Sequence, residues 1–229
     1  MDGSPGLRPH GTQDWQRLDA FVDAAFAFAV SLLIISGTEP LASFEDLSRA
    51  LARTPAFAFG FGLIVLFWLS HRTWSKLSPT RDGWTTALSL MLVFTILVFV
   101  FPLRLLTETA THFISGGVLP GGGLMSDIAD LRWTYAIYGA GFALLSGLNV
   151  LLFRQAARAL AAGAPNRKAA DQWWVTWTLS MGAGLLSAAI ALTPLLPVAP
   201  GLPGVTYNII PLGLFLILRR TKAKPTPAA

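Results

Sequence analysis

Two carboxylates, Asp19 and Asp23, stand at the start of an apolar segment that is long enough to cross a bilayer. A charged side chain inside hydrocarbon costs at least about 2.5 kcal/mol on insertion scales, so such a group normally faces protein or water rather than lipid. Residues 18–37 therefore predict a membrane-spanning helix that packs in the middle of a bundle or lines a wet path through it.

Further apolar segments predict that the chain crosses the membrane six times, since one crossing needs about 20 apolar residues. The predicted spans are residues 18–37, 55–74, 84–106, 133–153, 173–196 and 198–218. Of the 229 residues, 53% are hydrophobic and only 13% are charged, a balance that ordinary soluble domains do not have. We expect an all-α, polytopic membrane protein with one six-helix domain at residues 18–220. A cytoplasmic segment (1–17) precedes this domain and a disordered cytoplasmic tail (221–229) follows it.

Two local signals refine this expectation. Pro211 lies inside the sixth span and predicts a kink there, because proline removes a backbone hydrogen bond from a helix interior. The loop at residues 107–131 contains two runs of glycine, which predict a flexible connection.

The distribution of basic residues predicts the orientation in the cell membrane. Lysines and arginines fill alternate loops and the tail: Arg72, Lys76, Arg81; Arg154, Arg158, Arg167, Lys168; Arg219, Arg220, Lys222, Lys224. The positive-inside rule then places both termini in the cytoplasm. Because the net charge of +5 sits at helix ends, as topology requires, it predicts no nucleic-acid partner.

Residue types that carry chemistry are sparse. The chain has no Cys, which excludes disulfides, thiolate catalysis and Cys-ligated metal. Its three His residues lie in different segments without metal-ligand spacing, and no catalytic motif is present. We therefore expect neither an enzyme nor a cofactor or metal site.

Within the first span, an apolar stripe follows helical spacing. Phe28, Leu32 and Ile35 recur at i, i+4 and i+7, with Ser31 beside them. The stripe is compatible with a functional surface and equally with plain packing or lipid contact.

Two polar groups near the predicted cytoplasmic surface also leave alternatives open. Asp23 fits a functional intramembrane carboxylate or a structural ion pair with Arg17, Arg72 or His71. His71, at the end of the second span, fits a pH-sensitive group or an interfacial side chain that hydrogen-bonds a neighbouring helix.

Short motifs in the first half of the chain resemble those of a known family. Arg17-x-x-x-Phe21-Val22-Asp23 resembles the Arg-x-x-x-Phe-Ser-Asp signature of the transmembrane protein 175 family of potassium channels. Trp68-x-x-His71 is similar to that family's Trp-x-x-His, and the third span begins at Trp84 and ends with Pro102, as in the family. A single six-span unit resembles the prokaryotic members, which assemble as tetramers.

The resemblance implies a homotetrameric channel through which K⁺ permeates, with a pore lined by the first helix of each subunit. It implies a hydrophobic constriction at Phe28, followed along the pore by Ser31 or Leu32 and then by Ile35. It also implies a polar knot at the cytoplasmic end, formed by Arg17, Phe21, Asp23 and His71. The chain departs from the family at Val22, which replaces the motif Ser, and at Phe28, which is bulkier than the usual Ile or Leu.

Several functions remain compatible with the sequence. The first is a tetrameric cation channel, selective or weakly selective for K⁺. The alternatives are a channel that passes protons or other monovalent cations, and a non-conducting integral membrane protein in which the polar knot only holds the bundle together. A secondary transporter is favoured less, since the sequence shows no internal repeat.

Overall fold

The computed structural model describes residues 10–35, 42–121 and 127–222, with side chains at 14–35, 42–121 and 127–215. All regular secondary structure in these ranges is helical. The helices are α1 (His10–Ile35), α2 (Phe44–Ala52), α3 (Thr54–Leu77), α4 (Gly83–Ile114), α5 (Ile128–Ala159), α6 (Pro165–Ala191), α7 (Leu202–Val205) and α8 (Ile209–Lys222), with a 3₁₀ turn (Thr206–Asn208) between the last two.

Five of these helices are long and apolar enough to cross a membrane, namely α1, α3, α4, α5 and α6. They coincide with the first five predicted spans, so the all-α, polytopic membrane fold is confirmed. The predicted sixth span lies four residues later than expected: the chain turns through residues 192–201, and the helical stretch that follows runs through α7, the 3₁₀ turn and α8 to Lys222. Its segment Leu202–Phe215 is apolar.

The sixth segment is helical without interruption through α7, the 3₁₀ turn and α8, and Pro211 is the third residue of α8. The proline ring crowds the carbonyl four residues earlier, on Tyr207, and that residue lies in the 3₁₀ turn. The helix is therefore distorted to 3₁₀ geometry just before Pro211, in the region where the sequence predicts a kink.

Helical structure also extends beyond the predicted spans. The helix α1 begins inside the segment expected to precede the membrane domain, and α4 runs eight residues past the predicted end at Leu106. Gly116 and Gly117 then cap α4 with positive φ angles of 65° and 89°, and the Gly117 N–H donates to the His112 carbonyl at 2.9 Å. This part of the loop is an ordered helix end rather than a flexible linker, while residues 122–126 and the tail from 223 lie outside the described residues.

A short connection of residues 78–82 joins α3 to α4 at the predicted cytoplasmic side. Asp82 caps α4, since its carboxylate accepts a hydrogen bond from the Thr85 N–H at 2.8 Å and its own backbone N–H donates to the Thr85 hydroxyl at 3.0 Å. The backbone hydrogen bond from Thr85 holds the pKa of the Asp82 carboxyl below its usual value. The connection is therefore fixed at the first turn of α4.

The helices α5 and α6 approach most closely, and glycine makes this approach possible. A Cβ at Gly139 would lie 2.7 Å from the Gly184 carbonyl oxygen, and a Cβ at Gly184 would lie 2.8 Å from the Gly139 carbonyl oxygen. Small residues let two backbones touch in a membrane, where dispersion and not hydrophobic burial drives association. Gly139 and Gly184 therefore mark a point of close backbone contact between α5 and α6.

We predict that Gly184→Ala destabilises the protein by about 1–3 kcal/mol, the usual cost of overpacking, because the new methyl group meets backbone atoms. The matched control is Gly182→Ala on the same helix, where an added Cβ meets nothing within 4 Å. The control is expected to be neutral or to stabilise by about 0.5–1 kcal/mol, because alanine restricts the unfolded chain. Unfolding of the purified variants in detergent measures both effects, and equal shifts would contradict this account of the packing.

Candidate functional site

The first helix has two faces of different character. Val22, Phe26, Ala29 and Leu33 are all buried, each at most 3% exposed, and they pack against α3 and α4. At roughly 100° per residue, the stripe that starts at Phe28 lies on a different side of the helix. One chain therefore buries one face of α1 and leaves much of the rest uncovered.

The sequence-predicted stripe falls mainly on the uncovered face. Phe28 is 56% exposed and Ile35 is 63% exposed. Ser31 is also exposed, and its hydroxyl donates to the Ala27 carbonyl at 3.2 Å. Leu32 differs, because it is half-buried against the core at the edge of this face.

An ion pair between the buried Arg81 and the partly exposed Asp19 anchors the N-terminal half of α1. Both guanidinium branches of Arg81 donate to the Asp19 carboxylate, at 2.8 and 3.0 Å. The Ser75 hydroxyl donates to the same carboxylate at 2.7 Å. The fork of an arginine matches the two oxygens of a carboxylate, so this contact joins α1, the end of α3 and the loop before α4 in one fixed geometry.

A second polar contact joins α1 to α3 one turn further along. The Trp68 indole N–H donates to the Asp23 carboxylate at 2.7 Å. The guanidinium of Arg72 lies over the Trp68 ring, 5.3 Å from its centre. Asp23 itself is exposed on the single chain, so this carboxylate retains a surface beyond its tryptophan partner.

The predicted polar knot is assembled differently from the expectation. Arg17 and Phe21 are exposed, and the contact that Asp23 makes with α3 is to Trp68. His71 is buried on the side of α3 that faces α4, where its Nε2 lies 3.0 Å from the Ser89 hydroxyl. His71 lies about one turn after Trp68, roughly 60° around the helix axis, and its hydrogen-bonding contact is with α4.

Sequence reasoning missed the strongest pair in this region. The sequence pattern places Asp19 beside Asp23 at the start of the first span and Arg81 among the basic residues of a loop, and it does not pair them. A usable signal was the shortness of the connection between the second and third spans, because it holds Arg81 near both helix ends.

Three contacts show that α1 and α3 run antiparallel in one consistent register. Asp19 meets Ser75 and Asp23 meets Trp68, while at the other end a Cβ on Gly60 would lie 3.0 Å from the Leu33 side chain. As the residue number rises on α1, it falls on α3. The two polar contacts therefore lie together at one end of α1, and the apolar stripe lies beyond them.

Comparison with known proteins identifies the class to which this arrangement is similar. Residues 17–102 match the family described as endosomal/lysosomal potassium channel TMEM175. A protein of Marivirga tractuosa named "Potassium channel" is 31% identical over 162 residues, which make up 65% of this chain and 64% of the relative. The aligned region thus spans less than two thirds of that relative's length.

Solved structures share the fold over nearly the whole chain. A crystal structure of a variant of the potassium channel MtTMEM175, in complex with a nanobody fusion, has a TM-score of 0.74 at 24% identity and covers 98% of this chain and 100% of that one. A lysosomal potassium-selective channel TMEM175 homologue from Chamaesiphon minutus has a TM-score of 0.61 at 20% identity and covers 90% of this chain and 98% of its own. The chain therefore shares the helical fold of these structures.

The resemblance expected from the motifs is therefore confirmed: the segment that carries Arg17, Asp23, Trp68 and His71 matches the TMEM175 family. All four of these residues lie inside the matched range, as does the stripe from Phe28 to Ile35.

We predict that Trp68→Phe lowers the free energy of unfolding by about 1.5 kcal/mol, the lower end for a hydrogen bond to a charged group, since Asp23 is exposed. The control is Trp84→Phe, which makes the same chemical change at an indole that is 60% exposed. Thermal unfolding in detergent compares the two variants. Equal stability of both would show that the indole N–H of Trp68 does not hold Asp23.

Proposed function

We propose that this protein is a cation channel through which K⁺ permeates, formed by four copies that surround a pore with their first helices. The named relative and the solved structures of similar fold, all described as potassium channels, support this activity. The proposal assigns Phe28, Ser31 and Ile35 to the pore wall, with Leu32 at its edge.

The observation that carries the proposal is the uncovered face of α1. At its cytoplasmic end this face bears charge on Arg17 and Asp23, both exposed on the single chain. Charged groups at membrane depth are unfavourable against lipid and favour protein or water. The uncovered face of α1 carries these charged residues and, further along, Phe28 and Ser31. Such a face is suited to contacts with other copies of the chain that together surround an aqueous path.

The chemistry of the stripe favours a hydrophobic gate. A ring of Phe28 side chains makes a narrow, apolar constriction, and such constrictions close to ions by losing their water. Ser31 lies just under one helical turn beyond Phe28, and its hydroxyl oxygen offers hydrogen bonding where an ion regains hydration. Selectivity for K⁺ then arises from the width and wetting of this path.

The polar contacts at the cytoplasmic end of α1 hold the pore entrance of each subunit in a fixed geometry. Asp23 and Arg17 project from the exposed part of α1, and we assign them with Phe21 to the contacts between neighbouring subunits. His71 supports α3 from behind through its contact with Ser89. We therefore propose that contacts between neighbouring chains complete the polar knot.

We place both termini in the cytoplasm of a cell-membrane channel, because basic residues fill the loops on that side. Labelling of single cysteines introduced at Val118 and Arg158 from outside intact cells tests this orientation. Reaction at Val118 alone is expected, and reaction at Arg158 alone would invert the topology.

We predict that Phe28→Ala and Phe28→Asn both raise cation flux and lower the preference for K⁺ over Na⁺. A smaller or polar side chain wets the constriction and lowers its dewetting barrier. Flux of K⁺ and Na⁺ from liposomes that contain the purified protein measures both quantities.

The control is Phe101→Ala, which truncates a phenylalanine that is 57% exposed on α4. It is expected to leave flux and ion preference unchanged. If both Phe28 variants assemble and conduct no more than the unmodified protein, Phe28 is not the gate. If the unmodified protein and all variants are silent, the non-conducting alternative stands instead.

A further inference from the structure

We propose that Arg81 is the positioning residue of the pore helix: it fixes the cytoplasmic end of α1 and thereby the orientation of Phe28 towards the pore. This inference rests on the proposed channel function. Arg81 itself lies on the connection between α3 and α4 and is distant in sequence from every residue of the proposed pore wall.

Arg81 lies in a buried site whose polar groups surround its guanidinium. Its side chain is 5% exposed, although the residue belongs to a loop. Besides the bidentate contact with Asp19, its guanidinium donates to the Trp15 carbonyl at 3.3 Å and to the Ser75 carbonyl at 3.1 Å, and it contacts the Ser75 hydroxyl. One side chain therefore bonds backbone and side-chain atoms of both α1 and α3.

Two indole rings complete this site. The guanidinium carbon lies 5.7 Å from the centre of the Trp15 ring and 5.4 Å from that of the Trp74 ring. Trp74 is fully buried on α3, whereas Trp15 belongs to α1. A planar guanidinium stacks on aromatic faces and forks onto a carboxylate at once, which a lysine ammonium does not do.

The position of this site on α1 gives Arg81 its influence on the pore. Packing along its buried face holds α1 against α3 and α4, and the polar contacts of Asp19 and Asp23 fix its N-terminal half in addition. Loss of the Arg81 fork leaves this half held by packing and by Asp23 alone, so it can turn about its own axis. Asp19 precedes Phe28 by nine residues, a distance of about 14 Å along the helix axis. A helix over this length is stiff, so a turn of its end at Asp19 turns Phe28 as well.

A second arginine pair offers the matched control. Arg167 contacts Asp171 at 3.3 Å within α6, four residues apart, and both side chains are substantially exposed. Arg167 also donates to the carbonyl of Leu160, the C-cap of α5, at 2.9 Å, and none of the described contacts of this pair is with α1. Arg167→Lys therefore removes an arginine–carboxylate contact of the same kind, but one that does not involve the pore helix.

The experiment compares Arg81→Lys with Arg167→Lys in the full-length protein. Arg81→Lys keeps the charge but loses the fork and the stacking. We expect it to assemble as the unmodified protein does, while K⁺ flux and the K⁺/Na⁺ flux ratio in liposomes change by roughly three- to thirtyfold, the range for a coupled site. Arg167→Lys is expected to leave both unchanged.

A second readout does not depend on conduction. The chain has no Cys, so Ala24→Cys gives a single thiol on the exposed face of α1, one turn before Phe28. We expect the rate of its reaction with a charged methanethiosulfonate reagent to change when Arg81→Lys is added, and to stay the same when Arg167→Lys is added.

The outcomes separate this inference from the proposed function. Unchanged flux and ion preference in a correctly assembled Arg81→Lys protein would overturn it. If the unmodified protein does not conduct, the channel proposal fails on its own, and the thiol reaction rate alone decides whether Arg81 positions α1. If Arg81→Lys does not assemble, Asp19→Asn, which removes the charge and keeps the shape, replaces it with the same expected results.

Discussion

The cost of placing charge in hydrocarbon is the constraint on which the arrangement of this protein depends. Asp19 and Asp23 stand at the membrane-facing start of α1, and each meets a partner from α3 or its following loop. These partners let an acidic helix insert, while Ala29 and Leu33 continue to pack against the bundle further along it. The opposite, apolar face of α1 is left uncovered on the single chain.

The subunit divides into a tightly packed part and a more lightly held part. Between α5 and α6, the carbonyl oxygen of Gly184 occupies the space where a side chain at Gly139 would lie, and the reverse also holds. No side chain fits between the two backbones at this point. The helix α1 packs with one face only and carries polar contacts at its end. Elements with fewer buried contacts supply the parts of proteins that move, which suits a helix proposed to form a gate.

Hydropathy predicted the first five spans because about 20 apolar residues in a row have few other stable environments. The sixth helical segment begins four residues later than hydropathy predicted, at Leu202, because the chain first turns through the proline-containing residues 192–201. Periodicity grouped Phe28, Leu32 and Ile35 on one face, with Ser31 beside them, and the structure leaves Phe28, Ser31 and Ile35 exposed. Leu32 is half-buried, because its burial depends on where α3 and α4 pack. The partners of Asp23 and the role of Arg81 depend on the register between helices, and the spacing within one helix does not contain that information.

The central claim is that the uncovered face of α1 surrounds the pore. A cryo-electron microscopy structure of the purified assembly in lipid nanodiscs tests it most directly. The account predicts four copies with their α1 helices around the central axis, Phe28 side chains meeting at the narrowest point, and Arg81 bound to Asp19 in every subunit. An assembly in which another helix lines the axis while Phe28 faces lipid would contradict it.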